Sequence, residues 1–323
     1  MEEKKTYLCL EPQRLDLFLA EEIGQSRSQV VQLIKQSCVY VDNKLEIKPS
    51  TKLKSNQNVT VIFPGLIKQE PYAIDFDVAI LYEDDDLLVV NKPHGITVHP
   101  APSVKEATVV DWLKAKGIAL SDIGSPERDG IVHRIDKGTS GAMVIAKSNE
   151  AHAFLAAQLQ DQTMGRYYLA VVTPPLKEDV TIIEHAIGRN TTNRLKMACL
   201  EDGKDAKTLF KSILHSNDEK NQLLGAKLFT GRTHQIRVHL ESMSRHILGD
   251  LTYAVSPKVE TSEHILLHAY IVEFIHPRTK EKVIYQAPLS DVMQNYLEKN
   301  FNKEQLNEVM DSNFIIDSFN SVR

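Results

Sequence analysis

Apolar residues recur along this chain at two spacings, one helical and one extended, and turn residues mark where one gives way to the other. In RLDLFLAEEI, Leu15, Phe18, Leu19 and Ile23 sit at helical intervals, the pattern that lines one face of a helix. Ser26 with Gln29 three residues on has the form of a capping box, and Val30, Val31, Leu33 and Ile34 give the helix it opens an apolar face. VYVDNKLEI, residues 39–47, predicts two short strands around Asp42-Asn43, residue types that tolerate left-handed backbone. Val59, Val61 and Phe63 alternate as a closing strand. Together these elements define a small N-terminal α/β unit over 12–64. A linker follows over 65–78, where Pro64-Gly65 and Pro71 bracket polar residues and stop either element from continuing.

A larger unit is expected over 79–300. ILYEDDDLLVVNK reads as two strands around an acidic turn, and strand-like runs recur at IVHRID, AMVIA, YYLAVV and AKLF. Helical patterns lie at 109–113, where Trp112 joins Val109 and Val110 as a core residue, and at 150–159. Strands and helices are mixed without regular alternation, which predicts an α+β fold. The tail, 301–323, has weak periodicity and is expected to be partly helical or without fixed structure.

Composition narrows the class. The chain has 323 residues, 42% hydrophobic and 25% charged, the profile of a globular protein with about two domains. MEEKKTYLCL has no long apolar run and no small-residue cleavage site, so no signal peptide is expected. No window reaches the apolar length of a membrane span. Cys9, Cys38 and Cys199 are far apart and odd in number, which fits a reducing cytoplasmic setting. No repeat or low-complexity segment is present. The net charge of −5 and pI of about 6.2 count against nucleic-acid binding as a whole-chain property. Against that, the stretch 187–211 carries Arg189, Arg194, Lys196, Lys204, Lys207 and Lys211. It reads equally as a local basic face and as a solvated strand pair.

Two stretches concentrate chemistry. In GIVHRIDKGTSGAMVIAK, residues 130–147, a strand pattern delivers His133, Arg134 and Asp136 to a polar loop with two glycines, a placement where a carboxylate can meet a ligand closely. The plain alternative is that Asp136 caps a loop. In LFTGRTHQIRVHL, residues 228–240, Arg232, His234, Arg237 and His239 stand in an apolar frame. If Thr233-His234-Gln235 opens a helix, Arg237 falls in its first two turns. There it could pair with a carboxylate from another strand, orient it and keep it ionised. The plain alternative is a basic surface helix end. Asp84-Asp85-Asp86 reads as a polar hairpin turn rather than a metal site. His94 and His99 lack the partner spacing of a zinc site and read as loop and RNA-proximal residues. His234 and His239 are expected to hydrogen-bond within the fold.

HRIDKGTSG followed by an alanine-lysine pair resembles the signature of the pseudouridine synthases that modify large-subunit ribosomal RNA. VVNKPHGITVHP (89–100), RYYLAVV (166–172), TGRTHQIRVHL (230–240) with GDLTY (249–253), and LLHAYIVEFIHP (266–277) resemble further motifs of that family, in order, over roughly 80–289. The first unit is similar to an S-four-type RNA-binding domain through RLD (14–16), SRSQV (26–30) and VYVDNK (39–44). The resemblance implies a mixed, largely antiparallel sheet with flanking helices and action on ribosomal RNA in ribosome biogenesis; a cytoplasmic monomer is expected. It implies that Asp136 is the catalytic aspartate, Tyr168 the active-site tyrosine, and Arg237 the arginine that pairs with the aspartate. It further implies that Arg134 occupies the space of a flipped-out base. His133, Arg232 and His234 complete the expected RNA contacts, and Arg27 and Lys35 on the second helix could meet phosphates, although lone helix-surface charges are usually just solvated. Three positions depart from the family pattern. Arg166 replaces a usual lysine, which alters donor geometry. Gly138 replaces a common acidic residue, and Cys38 an expected glycine.

The residue types suit such a reaction. Isomerising uridine breaks the bond from ribose to ring nitrogen and remakes it to a ring carbon, with nothing oxidised and no group gained or lost, so no cofactor is expected. A carboxylate can stabilise charge at the anomeric carbon or form an adduct, a tyrosine can assist proton loss or stack on the ring, and an inserted side chain offsets part of the unstacking cost. Attack on sugar and attack on base are both open at this level. A non-catalytic RNA-binding protein is disfavoured by the intact Asp136, Tyr168 and Arg237 set. A glycosidase is disfavoured by the lack of a second positioned acid.

Overall fold

A computed structural model describes residues 3–63, 72–123, 126–254, 262 and 264–321. Cα proximity divides the chain into Met1–Glu70 and Pro71–Arg323. Residues 64–71, most of the bracketing prolines' segment, lie outside the described residues.

The first unit runs β1 (Glu3–Cys9), α1 (Leu15–Glu22), α2 (Arg27–Lys35), β2 (Val39–Val41), β3 (Lys44–Leu45) and β4 (Gln57–Phe63). Its antiparallel sheet has the order β1-β4-β2-β3. The strand β1 precedes the expected start of the unit; its pattern is faint because Cys9 is its fully buried residue, and a seven-residue ladder to β4 holds it. Leu15, Phe18 and Leu19 of α1 pack with Val30 and Ile34 of α2 over Val39, Val59 and Val61. Val31 and Leu33 are only partly buried. The capping box forms, with the Ser26 amide donating to Gln29 Oε1 at 3.0 Å and the Gln29 amide to Ser26 Oγ at 3.4 Å. Asp42 and Asn43 take φ of 48° and 66°, the paired left-handed turn their types favour. Asp16, 1% exposed, accepts from Arg14 Nε and Nη2 at 3.0 Å and from Arg27 Nε at 2.8 Å. The Arg14 hydrogen bond leads in lowering its carboxyl to about 2.

The second unit begins with β5 (Ala79–Glu83), β6 (Leu87–Lys92), α3 (Val109–Ala115), β7 (Ser140–Ala146) and α4 (Asn149–Gln160). It continues through β8 (Gly165–Thr173), β9 (Val180–Ile183), β10 (Ile187–Arg189), β11 (Met197–Cys199), β12 (Thr208–His215) and β13 (Gln222–Leu228). It closes with α5 (Gln235–Ser242), β14 (His246–Ile247), β15 (Leu267–Ile275), β16 (Lys282–Gln286), α6 (Asp291–Asn300), α7 (Lys303–Val309) and α8 (Ser312–Asn320). The main sheet has the order β5-β6-β7-β15-β8-β13-β12-β9, with β14 on β8 and β16 on β15. Every pairing is antiparallel except β7 with β15, which meet at His268↔Ser140 and Ala269↔Gly141. A Cβ on Gly141 (φ +119°) would lie 2.2 Å from the Ala269 carbonyl oxygen, so only glycine admits this approach.

IVHRID is not a strand. Ile131 makes one bridge to Ile145, and 132–139 form an irregular loop. Beyond Gly141, the side of β7 facing away from β6 is satisfied piecemeal: Gly130 accepts from the Ala146 amide at 2.8 Å, and His133 Nε2 accepts from the Val144 amide at 3.0 Å. Ile131 and Ile135 are buried, which produces the alternation without a ladder.

Trp112, 3% exposed, donates from Nε1 to Asp77 at 2.8 Å. Asp84 Oδ1 accepts from the amides of Asp86 and Leu87 at 2.8 Å, as a hairpin turn requires. Within 187–211, β10 and β11 form a two-stranded sheet and residues 208–211 open β12 of the main sheet, and three of the lysines answer acids: Lys196 with Glu241, Lys207 with Glu184, Lys211 with Asp179. After Phe301, α7 and α8 bury Leu306, Ile315, Ile316 and Phe319 against the sheet. Their pattern is weak because each helix is short. Among the described residues no helix is long and apolar enough to cross a membrane, and no cluster of metal-ligating side chains forms.

Candidate active site

Asp136 stands on the 132–139 loop at the junction of a cavity of about 70 Å³ and an open groove of about 550 Å³, and lines both. Backbone holds it there. The Thr139 amide donates to the Asp136 carbonyl at 3.0 Å, and the Gly95 amide donates to the Lys137 carbonyl at 2.9 Å. Lys92, 0% exposed, donates to the carbonyls of Pro93 (2.7 Å), Ile96 (2.8 Å) and Lys137 (3.3 Å). One ammonium thus ties the 93–96 loop to the carboxylate's loop. Burial draws Lys92 down to about 7, against the pull of Asp136.

Arg237 is the third residue of α5, so the helix start expected at Thr233-His234-Gln235 is observed. His234 takes left-handed φ of 59° with no side-chain cap, a costly conformation for a residue with a Cβ. Its Nδ1 shares a 2.8 Å hydrogen bond with the Tyr253 hydroxyl. Gln235 ties the turn instead, accepting from the Arg232 amide at 3.0 Å and from Thr230 Oγ1 at 2.8 Å. Arg237 reaches Asp136 through a single contact, Nη1 to Oδ2 at 3.4 Å. Its bidentate partner is Asp250, with Nε to Oδ2 at 2.7 Å and Nη2 to Oδ1 at 2.8 Å. Burial opposes the guanidinium charge, but Asp250, with Asp136 and Tyr253, outweighs it and the Arg237 pKa rises. The arginine is therefore anchored by one carboxylate and offered to the other.

The pleat of β8 puts Arg166 and Tyr168 on one face, and both line the cavity. Tyr168 is 5% exposed, and burial raises its phenol to about 12, with Asp136 adding to the rise and Arg166 opposing it. It is a neutral ring at physiological pH. Arg166 is 7% exposed, and burial lowers its pKa. It donates weakly from Nη2 to the Leu228 carbonyl at 3.5 Å, and its Nε has no partner among the described residues.

The remaining expected residues divide. Arg134 is exposed and lines both spaces, with Nη1 donating at 3.2 Å to His99 Nε2. Burial lowers His99 to about 4, which keeps that nitrogen an acceptor. Arg232 lines the cavity and donates from Nε to the Asp205 carbonyl at 2.9 Å. His133 is expected with the RNA contacts, but its ring turns onto β7. Burial takes it to about 3, because a buried neutral imidazole must accept the Val144 amide. Arg27 and Lys35 are exposed on the first unit, where Arg27 is partly engaged by Asp16. His239 is internal, bonded to Thr208 Oγ1 and the His185 carbonyl. His94 stacks on His264 and His99 meets Arg134, so the two do not converge. Sequence reasoning missed Asp250 and Lys92 as site residues, although GDLTY and VVNKPHGITVHP contain them, and it read His99 as RNA-proximal without its contact to Arg134.

A carboxylate with one arginine contact, sharing a cavity with a neutral aromatic ring and a buried guanidinium with free donor capacity, suits a flat polar ring carrying carbonyl oxygens. Comparisons with known proteins agree. A family model described as RNA pseudouridylate synthase matches residues 86–242, and an S4 domain model matches 13–59. The chain is 46% identical to a Helicobacter pylori (strain J99) protein named as an uncharacterized RNA pseudouridine synthase, over 95% of each chain. It is 37% identical to the ribosomal large subunit pseudouridine synthase D of Zymomonas mobilis, over 87% of this chain and 92% of the relative. The solved structure of human RNA pseudouridylate synthase domain containing 1 shares the fold, with a TM-score of 0.57 at 24% identity. The match covers 75% of this chain and 97% of the human one.

Proposed function

This chain belongs to the RNA pseudouridylate synthase family, and from that premise we propose that it isomerises uridines of large-subunit ribosomal RNA with Asp136 as the nucleophile and no cofactor. The observation that carries the reading is the position of Asp136, on the rim between groove and cavity, in contact with Arg237 and lining the same cavity as Tyr168. An RNA strand lies along the groove, and the target base turns out of its stack into the cavity. Asp136 bonds to the nucleotide, at sugar or base, as the bond from C1′ to N1 breaks. The ring is then joined to C1′ through C5, the C5 proton leaves, N1 gains one, and Asp136 is released. Tyr168, held neutral, supports the ring by stacking. Arg166 offers its free donors to a uracil carbonyl. Arg134, steered by His99, fills the space the base leaves.

The rRNA substrate is supported by relatives named ribosomal large subunit pseudouridine synthase D, at 34–37% identity. The first unit, matching an S4 domain, supplies RNA affinity, with Arg27 and Lys35 among its phosphate contacts. We read the enzyme as a cytoplasmic monomer acting in ribosome biogenesis.

Two measurements test this. Chemical tagging of pseudouridine and mass spectrometry of cellular RNA, with and without the protein, should show one or more large-subunit uridines that depend on it. In vitro, Asp136→Asn should release no detectable tritium from uracil-labelled ribosomal RNA while binding that RNA as wild type does. Loss of a covalent nucleophile removes several powers of ten in rate, far beyond a loop hydrogen bond of about 1 kcal/mol. A folded variant within tenfold of wild-type turnover would sink the assignment of Asp136.

A further inference from the structure

We propose that His94 and His264 form a stacking subsite for the nucleobase next to the target uridine, and that glycine at position 138 makes room for it. The two imidazoles stack with centroids 3.9 Å apart and planes 21° from parallel. Both are half-buried and line the groove, not the cavity. Each is tied to one side of the catalytic ion cluster. His94 sits on the loop that Lys92 and the Gly95 amide bind to the Asp136 loop. His264 sits against Gly249, where a Cβ would lie 2.1 Å from the His264 carbonyl oxygen, and the next residue is Asp250, the anchor of Arg237. The pair is therefore held in register with the carboxylate.

Gly138 explains how the rings fit. A Cβ there would stand 3.1 Å from Ile265 Cγ2 and 3.8 Å from His94 Nε2. A longer acidic side chain at this position would extend into the space beside His94. The ring pair has the properties of a base platform. Burial first, then His264, Lys92 and Lys137, lower His94 to about 4, so it presents an uncharged ring at neutral pH. Leu251, 84% exposed, adds an apolar side chain to the same groove, while Arg134, Lys137 and Arg237 supply positive charge along it. Stacking on an aromatic platform tolerates any base, so the subsite adds affinity and placement more than sequence choice.

This inference rests on the RNA reading above, and the test separates the two. Filter binding of the full-length chain is measured with a ten-nucleotide RNA carrying one central uridine, and with the same RNA made abasic at either neighbour of that uridine. Pseudouridine formation is measured on the same oligomers. One abasic neighbour should weaken wild-type binding about five- to 150-fold, the span of roughly 1–3 kcal/mol per stacked base. His264→Ala and Gly138→Asp should bind intact RNA more weakly by a similar factor and lose the sensitivity to that neighbour, while His264→Phe keeps both. Equal abasic penalties in wild type and His264→Ala, at both neighbours, would overturn the subsite. No RNA binding by wild type would overturn both readings. The expected binding pattern without pseudouridine formation would leave the subsite standing and remove the enzymatic reading.

Discussion

Replacing Asp250 by asparagine tests whether Asp136, the proposed nucleophile, depends on a second carboxylate. Asp250 is 1% exposed at its side chain and Arg237 10%, and two short bonds join them. Its Oδ1 also accepts from the Thr252 amide at 3.0 Å and the Tyr253 amide at 3.3 Å. Asp250→Asn removes the charge but keeps one acceptor. The guanidinium is then left mostly buried with Asp136 as its remaining carboxylate, 3.4 Å away. Removing one partner of a buried pair costs about 3–5 kcal/mol, and the retained acceptor argues for about 3. In a domain of this size that is a fall in Tm of roughly 6–12 °C. Arg237 should swing both donors onto Asp136, shield its oxygens and cut turnover at least about a hundredfold, roughly 2.7 kcal/mol in the barrier. The double variant Arg237→Met/Asp250→Leu should regain most of the lost stability, because an apolar pair needs no counter-charge, and should stay inactive. Calorimetry and tritium release on all three variants decide it. An Asp250→Asn protein that melts within about 2 °C of wild type and turns over within threefold would show that Asp250 does not anchor the arginine.

Lys92→Met should loosen the 93–96 loop from the Asp136 loop, because three carbonyls lose their donor; it should cost about 2–4 kcal/mol and reduce turnover more than RNA binding, as read by melting, single-turnover rate and filter binding. Asp16 is lowered to about 2 in the folded first unit, so its stabilising contribution is complete above about pH 4 and is lost as pH falls through 2; acid titration followed by circular dichroism should show that loss in wild type and not in Asp16→Asn. The chain from Gln69 onward should fold and modify short RNA at high concentration, yet bind ribosomal RNA more weakly and with a shallower salt dependence; an unchanged salt slope would exclude the first unit as the source of phosphate contacts.

Sequence alone made the first unit legible because its signals are local. The spacing of Leu15, Phe18 and Leu19, the Ser26 capping box and the Asp42-Asn43 turn each specify geometry within a few residues, and each is present. The α+β class, the RNA pseudouridylate synthase family and the junction of Asp136 with Arg237 were also legible, through motifs in order. What was hidden depends on distant partners. IVHRID alternates like a strand, but the alternation comes from Ile131 and Ile135 entering the core while His133 takes the amide of Val144. The sharing of Arg237 between Asp136 and Asp250 needs three segments brought together, and no spacing encodes it. The role of Lys92 was masked because a lysine ending a strand usually reads as solvated. Here three carbonyls receive it.

The chain's single tryptophan, Trp112, lies in the second unit with its indole N–H on Asp77 and the Lys116 ammonium 5.4 Å from the ring centre. Its emission is therefore a private optical channel for the unit that carries Asp136. Excited where tyrosine does not absorb, it follows the loss of the α3 packing, while residues 3–63 emit nothing of their own there, since they contain only Tyr7 and Tyr40 as phenolic chromophores. Far-ultraviolet dichroism sees both units at once. Subtracting one unfolding curve from the other gives the first unit's transition without cutting the chain or adding a dye, and RNA titrated into the same cuvette shows which of the two transitions it delays.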